Sequence, residues 1–176
     1  MESEAIKIYE KLISSKNVLR DATFTEDANI IKIKESKVTV ILGDLHWSQN
    51  EKNLIDCKIR AIFNISNAPK NEYNKFKDIS YYNYNDIMDE DTVNISKIFD
   101  NITYLLHRYI DDHKQNVYIH CRAGISRSAT VLAAYLIKYK KIGTTEALLY
   151  IRMYRGILPN VGFIRQLLEF ERICHK

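Results

Sequence analysis

At 176 residues, the chain has the usual length of one domain and can bury a single hydrophobic core. Its composition, 46% hydrophobic and 27% charged with only 5 Gly and 2 Pro, excludes a disordered or fibrous protein. The formal net charge is +4, but the lysines are spread along the chain and form no basic tract. The charge pattern therefore gives no reason to expect a nucleic acid as partner.

The three cysteines, Cys57, Cys121 and Cys174, are an odd and widely spaced set. This pattern argues against a disulfide framework and against a cysteine-rich metal site. The N-terminus is acidic where a secretory signal is basic, and no stretch approaches the ~18 apolar residues of a membrane span. We therefore expect a protein of a reducing compartment, the cytoplasm or the nucleus, without a membrane partner, a metal or another cofactor.

The first half of the chain predicts one helix followed by several strands. An amphipathic helix is predicted over residues 5–12, and the apolar residues assigned to its buried face are Ala5, Ile6, Tyr9, Leu12 and Ile13. Short runs rich in β-branched and aromatic residues then predict strands over residues 30–33, 38–42, 59–65 and 79–84. A loop rich in carboxylates, residues 85–92, precedes a predicted helix over residues 94–113.

The second half begins with a short apolar strand, residues 117–119, and is helical after it. The predicted helices cover residues 127–139, 144–154 and 162–173, with Thr144 or Thr145 and then Asn160 as N-caps. After the N-terminal helix, most strands come first, a strand–loop–helix unit follows, and helices end the chain. This order predicts an α/β fold in which helices pack on a central sheet.

The most informative stretch runs from His120 to Ser128, where five residues separate a cysteine from an arginine at a predicted strand-to-helix junction. A tight loop there turns backbone N–H groups inward, and the helix N-terminus adds partial positive charge, so the junction suits a phosphate group. Gly124 gives the loop conformational freedom, and Arg127 can hold two phosphate oxygens. The predicted phosphate-binding residues are Arg122, Ala123, Gly124, Ile125, Ser126 and Arg127.

The same electrostatic field acts on Cys121. Cysteines in such settings have a pKa of ~3.5–7.5, so Cys121 is the predicted nucleophile. Ser128 is placed to donate a hydrogen bond to the sulfur when a phosphocysteine breaks down. The alternative is a buried structural cysteine in a helix-capping loop, which would require the whole pattern to arise by chance.

The segment from His120 to Ser128 resembles the His-Cys-x5-Arg-Ser/Thr signature of the protein tyrosine phosphatases, and its flanks resemble the small dual-specificity branch. Pro159–Leu167 is similar to the family's Pro-Asn-x-Gly-Phe-x-x-Gln-Leu segment, and Leu42–Gly43 to its early Leu-Gly turn. The resemblance covers most of residues 38–171. It implies a mixed, mostly parallel central sheet flanked by helices, and metal-free hydrolysis of phosphoesters through a cysteinyl-phosphate.

That chemistry also needs a carboxylic acid that protonates the leaving oxygen and then, as a base, activates water. The candidates in the acidic loop are Asp86, Asp89, Glu90 and Asp91. The family places its acid shortly before a segment like Asn94–Phe99, which selects Asp89. Asp91 is the second candidate, because a shift of one or two residues in loop length is invisible in a single sequence.

Arg155 matches a family position near the rim of the pocket and is expected to contact the substrate. The alternative is an arginine that stabilises a helix C-terminus. The resemblance further divides the chain into an N-terminal helical segment, residues 1–25, and a catalytic domain, residues 26–176.

The short chain implies a shallow pocket that phosphotyrosine, phosphoserine and phosphothreonine can all reach. We therefore expect a dual-specificity protein phosphatase that acts on phosphoprotein substrates. An RNA 5′-phosphatase is one alternative, because some relatives of this fold act on RNA ends, although no basic tract supports it. A non-catalytic phosphopeptide-binding module is another, but such modules usually lack the cysteine or the arginine.

Residues 94–106 and the frequent Ile, Lys, Asn and Tyr resemble the dual-specificity phosphatases of poxviruses. This resemblance implies a viral source and a location in the host cytoplasm or the virion. A protruding N-terminal helix can mediate dimers in those proteins, so the apolar face of residues 5–13 is predicted to form a homodimer contact. The alternative is that this helix folds back onto its own core.

Overall fold

Five strands form one sheet in the computed structural model, which describes residues 1–15, 27–34, 36–67 and 77–176. The strands are β1, Ala28–Ile31; β2, Val40–Gly43; β3, Ile59–Asn64; β4, Ser80–Asn83; and β5, Asn116–His120. Their order in the sheet is β1-β2-β5-β3-β4. β1 pairs with β2 antiparallel, and the other three pairs are parallel. The prediction of a mixed, mostly parallel sheet is therefore confirmed.

Helices occupy most of the remaining described chain. They are α1, Glu2–Ser14; α2, Leu45–Ser48; α3, Glu51–Asp56; α4, Phe99–His107; α5, Arg127–Lys140; α6, Thr144–Arg152; and α7, Val161–Cys174. A 3-10 turn, Ser96–Ile98, leads into α4, and a π-helical turn, Arg108–Asp112, follows it. The helix predicted over residues 94–113 is thus a succession of three helical types.

The N-caps of these helices partly differ from the predictions. Asn160 caps α7 as predicted, because its side chain accepts a hydrogen bond from Phe163 N at 2.9 Å. Gly143, and neither predicted threonine, occupies the N-cap position of α6. The short helices α2 and α3 were not predicted, although Asp44 and Asn50 cap them through the amides three residues on.

The side chains of the central strands alternate between two hydrophobic cores. On one face, Leu42 of β2 and Ile119 of β5 belong to the larger core, which α1 and α4 to α7 cover. On the other face, Ile41 and Tyr118 pack with Trp47 in a smaller core beneath α2 and α3. Because both faces are covered, β2 and β5 read as continuous apolar runs in the sequence.

The helix α1 packs against α7 of the same chain. Its buried residues are Ala5, Ile8 and Leu12, at the three- and four-residue spacing of one helical face. The predicted buried face was therefore wrong at two positions, because Ile6 is 41% and Ile13 57% exposed. The predicted face took in these two residues and omitted Ile8.

The predicted domain boundary, between residues 25 and 26, lies outside the described residues. Helix α1 nevertheless contributes to the larger core together with the helices of the predicted catalytic domain. None of the helices in the described ranges is both long enough and apolar enough to span a membrane.

The parallel strands place the ends of β2, β3, β4 and β5 at one edge of the sheet. The register sets Gly43 and Asn64 on either side of His120, and Asn83 beside Asn64. Asn64 is buried and donates from Nδ2 to Asn83 Oδ1 at 3.1 Å. The loop after β5 therefore starts beside a buried asparagine side chain that is already hydrogen-bonded.

Candidate active site

In the loop between β5 and α5, residues 121–126, every carbonyl group accepts a hydrogen bond from a donor outside the loop. The carbonyl of His120, the residue before the loop, also accepts one. For the carbonyls of residues 120 to 126 in turn, the donors are Ile65 N, His120 Nδ1, Leu45 N, Arg155 Nη2, Arg155 Nε, Leu158 N and Thr130 N. In a trans peptide the N–H points opposite to the carbonyl, so the following amides face into the loop. Within the described part of the chain, the amides of residues 122–126 donate to no other group. The loop is thus a ring of inward N–H donors.

Gly124 makes this loop conformation attainable. Its φ is +66°, in the left-handed region that favours glycine. A Cβ atom there would lie 2.4 Å from the backbone C and O atoms of Gly43, at the end of β2. The loop can therefore rest directly on the sheet edge only with glycine at this position.

Arg127 is the first residue of α5 and is 5% exposed. Its Nη1 donates to Ile87 O at 3.0 Å, and its buried Nε makes no hydrogen bond among the described residues. The first turn of α5 contains no acidic residue, and the side chain of its N-cap residue, Ser126, makes no capping hydrogen bond. The positive end of the helix and the guanidinium therefore both suit an oxyanion bound in the loop.

Cys121 begins the loop and is 1% exposed. Its Sγ lies 3.3 Å from Ser128 Oγ in the first turn of α5, so the predicted pair is in contact. Cys57 and Cys174 are also free, but burial raises the pKa of each thiol. Those two cysteines therefore favour the neutral thiol.

His120 is fully buried at the end of β5, where its ring stacks on Tyr118 at 5.3 Å. Burial lowers the pKa of His120 to about 4. The ring is therefore neutral at pH 7, and in one tautomer Nδ1–H donates to Cys121 O at 3.3 Å. His120 orients the loop but supplies no positive charge to the sulfur.

Asp89 contacts Ser126, at the opposite end of the loop from Cys121, and its side chain is 36% exposed. Its Oδ1 accepts hydrogen bonds from Ser126 Oγ at 2.6 Å and from Asn160 Nδ2 at 3.0 Å. Its Oδ2 is 3.7 Å from Arg127 Nε. The structure thus brings Asp89, the acid predicted from the sequence, to the predicted phosphate site.

Asp91, the second candidate, points elsewhere. Its Oδ1 is 3.5 Å from Gly162 N at the start of α7, and none of its described contacts reaches the loop. The contacts of Ser126 and Asn160 with Asp89 were not predicted from the sequence. For Asn160, the one signal in the sequence was its place in the segment that resembles the family. Ser126 was predicted to bind phosphate and not Asp89.

The structure places Arg155, the expected substrate contact, against the carbonyl groups of the loop, and its contact with substrate stays a prediction. Arg155 is 7% exposed and lies beneath the loop, where Nε donates to Gly124 O at 2.7 Å and Nη2 to Ala123 O at 3.1 Å. Its Nη1 donates to Asn29 Oδ1 of β1 at 2.8 Å. The guanidinium therefore stabilises the loop by donating hydrogen bonds to two of its carbonyl groups, which would otherwise lack these donors.

No group of three or more His, Cys, Asp or Glu side chains in the described ranges is arranged to hold a metal ion. The donors around the loop are amides, hydroxyls and a guanidinium, which suit an anion. The chemistry of the site is therefore that of a thiol, a carboxyl group and an oxyanion cradle.

Comparisons with known proteins agree with this geometry. The family model described as "Dual specificity phosphatase, catalytic domain" matches residues 40–173. Human Dual specificity protein phosphatase 2 is 32% identical over 139 residues, which are 77% of this chain and 43% of that protein. The chain thus spans less than half the length of this relative.

Two further relatives support the same family. A protein of Invertebrate iridescent virus 6, whose name describes a tyrosine phosphatase, is 39% identical over 87 residues, which are 49% of this chain and 61% of that protein. The crystal structure of DUSP15 has a TM-score of 0.69 at 30% identity, and the match covers 75% of this chain and 82% of that chain.

The buried His120 generates a prediction about stability. A histidine in an unfolded chain has a pKa of about 6.5, so the unfolded state binds the proton more tightly than the folded state. Stability therefore falls as the pH decreases from about 6.5 to about 4, by roughly 2 kcal/mol from this residue between pH 7 and pH 5. We expect His120→Asn, whose amide can replace the Nδ1 donor, to reduce this loss.

The measurement is urea unfolding at pH 7, 6 and 5 for wild type and variant. His46→Asn, the same substitution at an exposed position, is the control and should keep the wild-type pH dependence. An equal loss of stability in wild type and His120→Asn would contradict the assignment of a buried neutral ring.

Proposed function

The chain belongs to the dual specificity phosphatase catalytic-domain family, and we propose that it hydrolyses phosphotyrosine, phosphoserine and phosphothreonine in phosphoprotein substrates. The observation that carries the proposal is the ring of inward amides between buried Cys121 and Arg127. Such a ring binds a phosphoryl dianion and stabilises a thiolate at its entrance. A structural cysteine would need neither property.

In the first step, the Cys121 thiolate attacks phosphorus while the bond from phosphorus to the substrate oxygen breaks. Asp89, which starts protonated, gives its proton to the leaving oxygen, so the substrate departs as an alcohol or phenol. The amides and Arg127 hold the three other oxygens of the phosphoryl group throughout. The product of this step is a cysteinyl-phosphate and an Asp89 carboxylate.

In the second step, the Asp89 carboxylate takes a proton from water, whose oxygen attacks phosphorus. The sulfur–phosphorus bond breaks, and the electron pair returns to Cys121. Ser128 Oγ, 3.3 Å from the sulfur, can donate a hydrogen bond to the departing thiolate. Inorganic phosphate leaves, and the enzyme regains its starting state with Asp89 protonated.

The charges around the loop favour protein substrates over RNA ends. Asp86, Glu90 and Asp91 are exposed in the segment that contains Asp89. These carboxylates repel the further phosphates of a nucleic acid, whereas a phosphorylated side chain brings a single phosphate. The non-catalytic alternative is disfavoured because Cys121 and Arg127 are both present.

The deciding experiment compares wild type, Cys121→Ser and Asp89→Asn on phosphotyrosine peptides, phosphothreonine peptides and triphosphate-ended RNA. We expect Cys121→Ser to abolish turnover and Asp89→Asn to lower kcat by roughly 10²–10⁴-fold, the usual contribution of general acid–base catalysis. Asp91→Asn is the matched variant and should lose much less activity.

Release of inorganic phosphate is measured in the absence of added metal. Full activity of Cys121→Ser would overturn the covalent mechanism. Full activity of Asp89→Asn with a large loss in Asp91→Asn would transfer the acid role to Asp91. Preference for RNA would establish the 5′-phosphatase alternative in place of the proposed function.

We also propose a homodimer through α1. The face that carries Ala5, Ile8 and Leu12 is buried within the chain, so the outward residues Ile6 and Ile13 remain for such a contact. They are seven residues apart and lie on one side of the helix. Ile6→Glu with Ile13→Glu should convert a dimer mass in sedimentation equilibrium into a monomer mass, and a wild-type monomer at all concentrations would refute the contact.

We propose that the protein is located in the cytoplasm or the nucleus. If the protein is viral, as the resemblance to poxvirus phosphatases implies, the location is the host cytoplasm or the virion. A nucleophilic thiol works in its reduced form, which a reducing compartment maintains. A tagged chain expressed in cells should fractionate with cytosolic or nuclear markers. Recovery in the culture medium would contradict this proposal.

A further inference from the structure

A groove lies at the end of the sheet opposite the loop of Cys121, and the proposed chemistry uses none of its residues. One side is formed by residues between Leu54 and Arg60, at the end of α3 and the start of β3. The other side is formed by Lys77–Ile79, directly before β4. The groove has a volume of about 460 Å³, within the ~300–1,000 Å³ of pockets that bind ligands. It is therefore large enough to take side chains of a partner.

The floor of this groove is apolar. Leu54 and Ile59 are each 2% exposed and belong to the smaller core. Ile79 is half-buried against the same core, whereas Ile55 at the side of the groove is 56% exposed. An apolar side chain that entered the groove would cover Ile55 and remove its surface from water, which stabilises a complex.

The rim of the groove is positively charged. It carries three cations, Lys58, Arg60 and Lys77, and one acid, Asp78, so the excess is two positive charges. Arg60 Nη1 and Asp78 Oδ2 are 3.8 Å apart at the surface, where such a pair contributes little. Within the described ranges, Lys58 and Lys77 form no ion pair. The rim therefore attracts carboxylates.

The strand β3 connects this groove to the proposed phosphate site. It runs from Ile59 in the groove to Asn64, which pairs with His120 at the start of the cysteine loop. Its six residues span roughly 20 Å at ~3.3 Å per residue. One extended peptide can therefore occupy both places if at least about six residues separate the two contacts.

We propose that the groove between α3 and β4 docks an acidic segment with apolar side chains, which belongs to the phosphoprotein substrate and lies apart from its phosphorylated residue. This inference rests on the proposed function. The carboxylates of the segment would face Lys58 and Lys77, and its apolar side chains would cover Ile55. A nucleic acid fits less well, because the groove offers isoleucines where bases need aromatic rings to stack on, and Asp78 repels phosphates.

The binding test uses a fluorescein-labelled ten-residue peptide with two leucines between pairs of glutamates, and its readout is fluorescence anisotropy. Two control peptides have serine in place of leucine or lysine in place of glutamate, and both should bind more weakly. We expect Lys58→Glu with Lys77→Glu to weaken binding of the first peptide about tenfold or more, because the rim becomes negative. Ile55→Ser should weaken it roughly threefold, because less apolar surface is covered.

Matched variants outside the groove control for both kinds of change. Lys7→Glu with Lys176→Glu makes the same change of charge at exposed positions, and Ile173→Ser removes an isoleucine that is 68% exposed. Both should bind the peptide like wild type. An equal loss in the groove and control variants, or equal binding of the serine peptide, would overturn the inference.

Two other occupants would give different results. Tighter binding of a single-stranded RNA than of the acidic peptide, lost in the Lys58→Glu, Lys77→Glu variant, would make the groove a nucleic-acid site. A wild-type dimer in sedimentation equilibrium that only this variant converts to a monomer would make the occupant a second copy of the chain. Either result would overturn the proposal.

A tethered substrate tests whether docking assists turnover. It is a phosphotyrosine peptide joined by a flexible ten-residue linker to the acidic segment, and the readout is the ratio of its kcat/KM to that of the same peptide without the segment. We expect a ratio of about ten in wild type, through a lower KM, because docking raises the local concentration of phosphotyrosine. The ratio should fall towards one in Lys58→Glu with Lys77→Glu, and remain at the wild-type value in Lys7→Glu with Lys176→Glu.

The two assays separate this inference from the proposed function. Peptide binding needs no turnover, so Cys121→Ser should bind the acidic peptide like wild type. A ratio of one in an active wild-type enzyme would overturn only the docking of substrate. Full activity in Cys121→Ser would instead overturn the proposed mechanism, while the anisotropy assay would still decide whether the groove binds the acidic peptide.

Discussion

The backbone contact between Gly43 and Gly124 is the constraint from which the rest of the site follows. The loop lies so close to the end of β2 that a Cβ at Gly124 would be 2.4 Å from the Gly43 carbonyl group. This approach brings the loop carbonyls within reach of Leu45 N, Leu158 N and the Arg155 guanidinium. Since the carbonyls are paired outside, the amides face inward, and the anion cradle arises from backbone packing more than from added charge.

Two buried arginines serve opposite sides of this loop. Arg127 lies on the amide side, where an oxyanion can bind; its Nε makes no hydrogen bond among the described residues and lies 3.7 Å from Asp89 Oδ2. Arg155 instead pairs with the carbonyls of Ala123 and Gly124. The neutral His120 adds a third fixed group beneath the start of the loop. With His120 uncharged, the field at Cys121 comes from amide dipoles, the end of α5 and Arg127, all of which are positioned before a ligand binds.

The sequence predicted the features that depend on local pattern. The central strands were recognisable because apolar residues line both faces of β2 and β5, and the anion loop because its residue types coincide in one short segment. The roles of Arg155 and the buried face of α1 could not be read, because they depend on which distant element, the loop or α7, each side chain meets. The helices α2 and α3 escaped prediction because four and six residues are too few to show a helical period.

The proposed acid poses a different problem from the proposed nucleophile, since Asp89 is an exposed loop residue whereas Cys121 is buried. A carboxyl group in a loop loses conformational freedom when it is fixed for proton transfer, and that entropic cost must be met by contacts from rigid elements. Ser126 supplies one contact from the cradle itself, and Asn160 supplies the other from the capped start of α7. Residues 159–167, which resemble the family well beyond the cysteine loop, thus contact the segment that carries the proposed acid.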